Sequence, residues 1–213
     1  MTDAMADDER DDPYLDAGEF GSWAVGMQAA IRGDQGSDVP CGTCTACCTS
    51  SQFVHIAPDE TDTLAHIPKE LLVPAPRLPR GNVLMGYDEH GCCPMLVDNQ
   101  CTIYEHRPRT CRTYDCRVFP ATGTTPEDES KVLIASRAAA WEFSHPSDED
   151  HILHDAVRAA SAYLREHSGE FDAGTVPPTA TQRAVVAIMI HDLFVGDSQP
   201  PAQVVQVAIA SRR

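Results

Sequence analysis

The chain has 213 residues, with 32 acidic against 16 basic side chains and a formal net charge of −16 at pH 7. A protein that binds the nucleic-acid backbone needs the opposite balance, so no nucleic-acid partner is expected. No apolar run approaches the roughly 18 residues of a membrane-spanning helix, and the acidic N-terminus does not resemble a signal peptide. We therefore expect a cytoplasmic protein that has no membrane partner and is long enough to bury its own core.

The N-terminal region divides into a tail and a helix. Residues 1–16 are rich in charge and poor in apolar side chains, which predicts a disordered acidic tail. Residues 17–40 are expected to form an N-terminal helix and a linker. Trp23 and Met27 lie about one helical turn apart, which predicts a helix near 17–32.

Residues 41–120 are predicted to form a small, irregular domain with short strands and one or two short helices. Pro58 is followed by two acidic residues, a pattern typical of the first turn of a helix, which we expect to end near His66. Residues 83–87 and 93–97 are predicted to pair as a hairpin across the turn between them.

Residues 121–213 are predicted to form a helical lobe, so the whole chain is assigned to the α+β class. The expected helices run from 125 to 141, from Ser147 to a C-terminal cap at Gly169, near 185–193, and over 204–209. His151 and His154 are three residues apart on the second of these helices, a spacing that can bind metal. No carboxylate pattern accompanies them, so we expect both on a solvated helix face.

All nine cysteines lie between residues 41 and 116. In a reducing compartment, a clustered and odd-numbered set of thiols favours a metal site over a disulfide framework. The run Cys41-x2-Cys44-x2-Cys47 is the opening of a bacterial ferredoxin ligand pattern, although C-x2-C also begins many zinc sites.

Eight of the nine thiols are predicted to be metal ligands: Cys41, Cys44, Cys47, Cys48, Cys93, Cys101, Cys111 and Cys116. Eight thiols divide into two sets of four. One division gives Cys41, Cys44 and Cys47 a fourth ligand from the later cysteines and leaves Cys48 to complete the other set. A single polynuclear centre that uses fewer thiols is the other arrangement open from the sequence.

The cysteine region resembles a known family. The first cysteine run, then Cys93-Pro-Met-Leu, then the block Cys101-Thr-Ile-Tyr-Glu-His-Arg-Pro-Arg-Thr-Cys111, together resemble the YkgJ-like cysteine-cluster family over about residues 41–120. That family is described as a zinc- or iron-chelating domain and is often labelled an iron–sulfur-cluster protein. Asp115 stands where the family commonly has Pro, and Cys92 is an additional thiol.

Neighbouring cysteines on an extended segment point to opposite faces, so Cys92 and Cys93 cannot both face one centre. We assign the ligand role to Cys93, which precedes Pro94 and matches the family motif, and expect Cys92 to be a partly buried thiol without a ligand role. The basic side chains near the later cysteines are expected to compensate thiolate charge: Arg107, Arg109, Arg112 and Arg117. His106, His55 and His90 are weaker ligand candidates.

These observations predict a protein that binds iron–sulfur clusters through cysteine thiolates, in a redox or electron-transfer role. A structural zinc module that binds a protein partner is the first alternative. A metal-dependent enzyme is the second, although an all-cysteine ligand set argues for closed coordination sites. No catalytic residue is predicted.

Overall fold

The computed structural model describes residues 14–37, 39–196 and 199–212. Residues 1–13 of the predicted acidic tail lie outside the described residues. The described chain contains eight α-helices: α1 Phe20–Arg32, α2 Thr61–His66, α3 Arg109–Thr113, α4 Val118–Thr122, α5 Val132–Ala139, α6 Asp148–Glu166, α7 Ala180–Ile190 and α8 Ala202–Arg212. It contains seven short strands: β1 Leu15–Glu19, β2 Val54–Ile56, β3 Leu72–Pro74, β4 Val83–Met85, β5 Leu96–Val97, β6 Gln100–Cys101 and β7 Trp141–Ser144. The predicted α+β class is confirmed.

The strands form three small sheets within the described residues. β1 and β7 pair in parallel, β2, β4 and β3 form an antiparallel sheet in that order, and β5 pairs with β6. The predicted hairpin between 83–87 and 93–97 is wrong, because Met85 of β4 lies opposite Val54 of β2 and Leu72 of β3. β5 turns back on β6 instead. The turn residues Asp98 and Asn99 both have positive φ, which suits a two-residue hairpin.

The N-terminal helix forms as its apolar spacing predicts, but it begins at Phe20 and not near 17. Strand β1 precedes it and includes residues 15 and 16 of the predicted disordered tail, because these residues pair with β7. Phe20, Trp23 and Met27 are buried on one face of α1. The helix ends at Gly33, whose φ of 81° is a left-handed conformation that glycine adopts without a steric penalty.

The C-terminal lobe is mainly helical, and α6 begins with the predicted cap. The Ser147 side chain accepts a hydrogen bond from the backbone N–H of Asp150, and the Asp150 carboxylate accepts one from the Ser147 N–H. Two predicted ends are wrong. α6 ends at Glu166, before Gly169, and the segment predicted to be helical up to 141 leaves the helix at Ala139 and enters strand β7.

Two hydrophobic clusters enclose the cysteine region. One is built from α1, α4, α5, α6 and α7, and Cys47 and Cys116 pack against it. The other is built around β2 and β4, and Cys93, Cys101 and Cys111 pack against it. The cysteines therefore lie where the helical part of the molecule meets the small sheet. No helix in the described part of the chain combines the length and apolarity needed to cross a bilayer.

Candidate metal centre

The cysteines meet around one cavity of about 540 Å³, here called the thiol cavity. Its lining includes all eight predicted ligands: Cys41, Cys44, Cys47, Cys48, Cys93, Cys101, Cys111 and Cys116. Cys92 is not among the described residues that line it; its Sγ lies 4.0 Å from the backbone carbonyl oxygen of His90, in a turn. All nine thiols are free of disulfide bonds.

The first four cysteines lie on a tight loop and a short 3-10 helix. Gly42 has a φ of 55°, and the N–H of Cys44 donates to the carbonyl oxygen of Cys41 over 2.9 Å. The 3-10 helix Ala46–Thr49 then brings the Sγ atoms of Cys47 and Cys48 to 3.9 Å of each other. The two-residue spacers therefore bend the backbone toward one centre, as the motif predicts.

The later cysteines reach the thiol cavity from four separate segments of the chain. The backbone N–H of Cys93 donates to the carbonyl oxygen of Cys48 over 2.7 Å, which joins the two cysteine groups. Cys101 ends β6, and Cys111 lies in α3. Cys116 lies on the link between α3 and α4. No local pattern brings these thiols together, so their convergence is a property of the fold.

Burial and mutual repulsion raise the pKa values of several thiols. Burial raises the pKa of Cys111 to about 12, with further contributions from the charges of Cys47, Cys93 and Cys101. In the metal-free protein, such thiols hold their protons at neutral pH. A bound cation reverses that preference, because the thiolate is the form that binds metal.

The charge interactions separate the thiols into two neighbourhoods. Cys93 interacts with Cys101 and Cys47, which places these thiols close to Cys111. The second neighbourhood consists of Cys41, Cys44, Cys47 and Cys116. Cys47 thus faces both neighbourhoods.

Two arginines oppose the thiolate charge. The positive charge of Arg107 acts to lower the pKa of Cys111, and that of Arg137 acts to lower the pKa of Cys41. Arg137 also donates to the carbonyl oxygen of Cys41 over 3.3 Å. Arg137 is in α5, outside the region where compensating charge is predicted, so the sequence reasoning missed it.

The other predicted compensating arginines have different surroundings. Arg112 lines the thiol cavity. Arg109 pairs with Asp59 over 2.7 Å at the surface, and the buried Arg117 pairs with Asp115 over 2.8 Å. Arg109 and Arg117 therefore pair with carboxylates and not with the thiols, unlike the predicted role of charge compensation.

Trp141 contributes a second feature that the sequence reasoning missed. Its indole N–H donates to Cys116 Sγ over 3.2 Å, and this bond acts to lower the pKa of Cys116, which burial raises to about 11. A donor aimed at sulfur stabilises thiolate charge, as a metal-bound thiolate requires. Strand β7 carries Trp141 to the cavity, and the prediction of a helix there obscured this role.

The candidate histidines do not line the thiol cavity in the described structure. His106 contacts Asp62 over 2.8 Å, His55 contacts Asn82 over 2.8 Å, and His90 lies on an exposed turn. His154 is not on a solvated face as predicted. It is 8% exposed and stacks on Phe20.

A cavity lined by cysteines within an α+β domain is typical of metal-chelating domains. Residues 40–136 match the model of the CxxCxxCC family, described as "Putative zinc- or iron-chelating domain". This segment is therefore similar to that family, which confirms the predicted cysteine-cluster resemblance and supports metal binding in general. The matched segment extends through α4 into α5 and stops short of Trp141. Comparison with curated proteins finds no match to the chain, and neither does comparison with solved structures.

Proposed function

We propose that the chain binds iron–sulfur clusters through the thiols of the thiol cavity and acts in redox or electron transfer in the cytoplasm. The observation that carries the proposal is the convergence of eight thiols on one cavity. Thiolates are soft ligands, and soft ligands bind both iron–sulfur clusters and zinc. The eight cysteines therefore fit either an iron–sulfur cluster or zinc. The distances between their sulfur atoms help to choose between the two.

Cys47 Sγ and Cys48 Sγ are 3.9 Å apart, but no third thiol among the described residues forms a compact group with them, which supports a polynuclear centre. Sulfur ligands of one tetrahedral zinc ion lie about 3.8 Å apart, given a Zn–S distance of about 2.3 Å. Among the described residues, the one group of three or more metal-binding side chains whose donor atoms all lie within 4.8 Å of one another contains no cysteine. A cluster places its cysteine ligands on different iron atoms and so accepts wider spacing.

The two neighbourhoods of thiols share Cys47 and do not include Cys48. We complete two sets of four by assigning Cys48 to the set of Cys93, whose backbone N–H donates to the carbonyl oxygen of Cys48. We assign Cys41, Cys44, Cys47 and Cys116 to one set, and Cys48, Cys93, Cys101 and Cys111 to the other. Cys47 and Cys48, whose Sγ atoms are 3.9 Å apart, then belong to different sets and hold them side by side. Two adjacent centres suit electron transfer, because an iron–sulfur centre accepts and releases single electrons.

Metal and sulfide analysis of anaerobically purified protein tests this proposal. We expect brown protein that contains iron and acid-labile sulfide together and is bleached reversibly by a reductant. Colourless protein with stoichiometric zinc after strictly anaerobic purification would overturn it. Cys116→Ser and Cys111→Ser test the division into two sets, because each variant changes a ligand of a different set. Each is expected to lose the centre of its own set and to retain the other centre.

A structural zinc module that binds a protein partner is the second candidate. The family description favours it, since that description names zinc as well as iron. A zinc module would show no reversible bleaching, and chelation of its zinc would unfold it. Iron and sulfide in the analysis above exclude this candidate, whereas zinc alone supports it.

A metal-dependent enzyme is the third candidate, and the size of the thiol cavity favours it. A volume of about 540 Å³ lies within the range of small-molecule sites. Such an enzyme needs an open coordination position on its metal. A small exogenous ligand, such as cyanide, should then change the absorption spectrum of the loaded protein, whereas fully cysteine-ligated centres should leave the spectrum unchanged.

A further inference from the structure

A second group of metal-binding side chains lies outside the thiol cavity and consists of Asp62, His66 and His106, here called the His/Asp group. Asp62 and His66 are one turn apart on α2, and His106 ends a short 3-10 helix that contacts α2. The donor atoms of the three side chains all lie within 4.8 Å of one another. In the described part of the chain, this is the only group of three such residues that is this compact.

The contacts within the His/Asp group bring its three side chains together. His66 Nδ1 donates to the backbone carbonyl oxygen of Asp62 over 2.8 Å and lies 3.8 Å from Asp62 Oδ1, so the lone pair of the neutral ring is on Nε2. His106 Nδ1 lies 2.8 Å from Asp62 Oδ2, and the two imidazole rings stack with centroids 3.5 Å apart. Hydrogen bonds to backbone carbonyls orient metal-binding histidines in this manner.

The group is accessible from solvent and carries the donors that zinc prefers. The side chains of Asp62, His66 and His106 are 71%, 42% and 39% exposed, respectively. Imidazole and carboxylate suit zinc, and three protein ligands leave a position for water. None of the three is among the described residues that line the thiol cavity.

We propose that the His/Asp group is a second metal site, which binds one Zn²⁺ at the surface and leaves a coordination position open to solvent. The ion takes the place of the proton between His106 Nδ1 and Asp62 Oδ2, so that His106 binds as a neutral ring with its proton on Nε2, and His66 is the third ligand. Because the lone pairs of two stacked rings run parallel, binding requires the exposed His66 and His106 rings to rotate out of the stack until both nitrogens face the ion. The site is independent of the proposed function of the thiols.

Zinc titration of the full chain, carrying the metal with which it is purified, tests the site. We expect one additional Zn²⁺ per chain by equilibrium dialysis, with the ring signals of His66 and His106 shifting together in NMR spectra. His66→Ala and His106→Ala should each weaken this binding by more than about tenfold. Asp62→Asn, which keeps a hydrogen-bond acceptor, should weaken it as well.

His90→Ala is the matched control, since His90 is exposed and also has an acidic neighbour, Glu89, at 3.6 Å. It should bind zinc as the wild type does. Iron and sulfide content should stay unchanged in all four variants, so the outcome is separate from that of the thiol cavity. The proposal is overturned if the wild type takes up no additional zinc, or if folded variants without His66 and His106 bind it as tightly as the wild type.

Discussion

At the scale of single residues, Cys92 and Cys93 are adjacent but lie in different surroundings. Cys93 lines the thiol cavity, and its backbone N–H donates to Cys48. Cys92 lies in the turn, where its N–H donates to the Asp88 carboxylate and its thiol faces the carbonyl oxygen of His90. The pair therefore offers an internal comparison between two thiols of the same local sequence.

We predict that Cys93→Ser loses metal and that Cys92→Ser retains it. Loss of metal should also destabilise the Cys93 variant, because metal binding is coupled to folding in such sites. Cys92→Ser should lower the free energy of unfolding by at most about 1 kcal/mol. The measurement is metal per chain in each purified variant. Equal losses in both variants would contradict the assignment of Cys93 as the ligand.

Trp141 acts on Cys116 through one hydrogen bond, so Trp141→Phe tests that bond with the aromatic ring kept. In the metal-free chain, the pKa of Cys116 should rise further and its alkylation at neutral pH should slow. If the thiols hold an iron–sulfur centre, its reduction potential should fall by on the order of tens of millivolts, since a donor to sulfur stabilises the reduced state.

Phe143→Leu is the control for Trp141→Phe, because it changes another buried aromatic residue of β7 that makes no hydrogen bond to sulfur. Alkylation of Cys116 followed by peptide mapping measures the first effect, and voltammetry the second. An unchanged alkylation rate in Trp141→Phe would show that the N–H does not influence the sulfur.

At the scale of elements, the link between α3 and α4 is held by a buried ion pair on either side of Cys116. The Asp115 side chain is fully buried and accepts hydrogen bonds from Arg117, from Trp23 Nε1 over 3.0 Å and from Ser37 Oγ over 2.7 Å. Arg117 also donates to the carbonyl oxygen of Ala17 over 3.1 Å. This network joins the N-terminal segment to the backbone that presents Cys116.

We predict that Asp115→Ala lowers the free energy of unfolding by about 3–5 kcal/mol, because it removes the carboxylate that balances the buried charge of Arg117. The double variant Asp115→Ala with Arg117→Met should recover part of that loss. Urea unfolding at neutral pH measures both. Asp59→Ala breaks the exposed pair with Arg109 and should unfold close to the wild type. A similar loss in the two single variants would contradict the role of burial.

At the scale of the whole molecule, local signals predict more of the structure than distant contacts do. The spacing of Trp23 and Met27 predicts α1, and the Ser147 cap predicts the start of α6, since both depend on residues within one or two turns. The spacing of Cys41, Cys44 and Cys47 likewise predicts that these thiols share a site, whereas the choice of Cys93 over Cys92 depends on the family motif. Residues brought in by distant packing escape prediction: Arg137 and Trp141 reach the cavity only because α5 and β7 pack beside it.

The strand partners illustrate the same limit. The turn at residues 88–91 favours a local hairpin, yet β4 lies between β2 and β3, which come from earlier in the chain. The burial of His154 is also set by a distant contact. Helical spacing shows that His154 lies near His151 on α6, but it does not show that Phe20 of α1 covers the His154 ring. Phe20 stacks on its ring with centroids 4.0 Å apart. This contact shields the His154 ring from water.

Burial, followed by the positive charge of Arg158, lowers the pKa of His154 to about 4 from the usual 6.5. Its Nδ1 lies 2.7 Å from His145 Nε2, and the pKa of His145 is also lowered by burial. The charged groups near this pair are His151, Arg158, Asp150 and Asp155. The folded molecule therefore keeps His154 neutral under mildly acidic conditions in which the unfolded chain protonates it.

We predict that the free energy of unfolding rises between about pH 4 and pH 6.5, because the unfolded chain binds more protons than the folded chain in that window. His154 should contribute about 2–3 kcal/mol of this rise. His154→Phe keeps a flat ring against Phe20 and should flatten the slope, whereas the exposed His90→Ala should retain it. Urea unfolding at a series of pH values, with identical metal content in each protein, measures the slopes. Equal slopes in the wild type and His154→Phe would show that His154 titrates alike in the folded and unfolded chains.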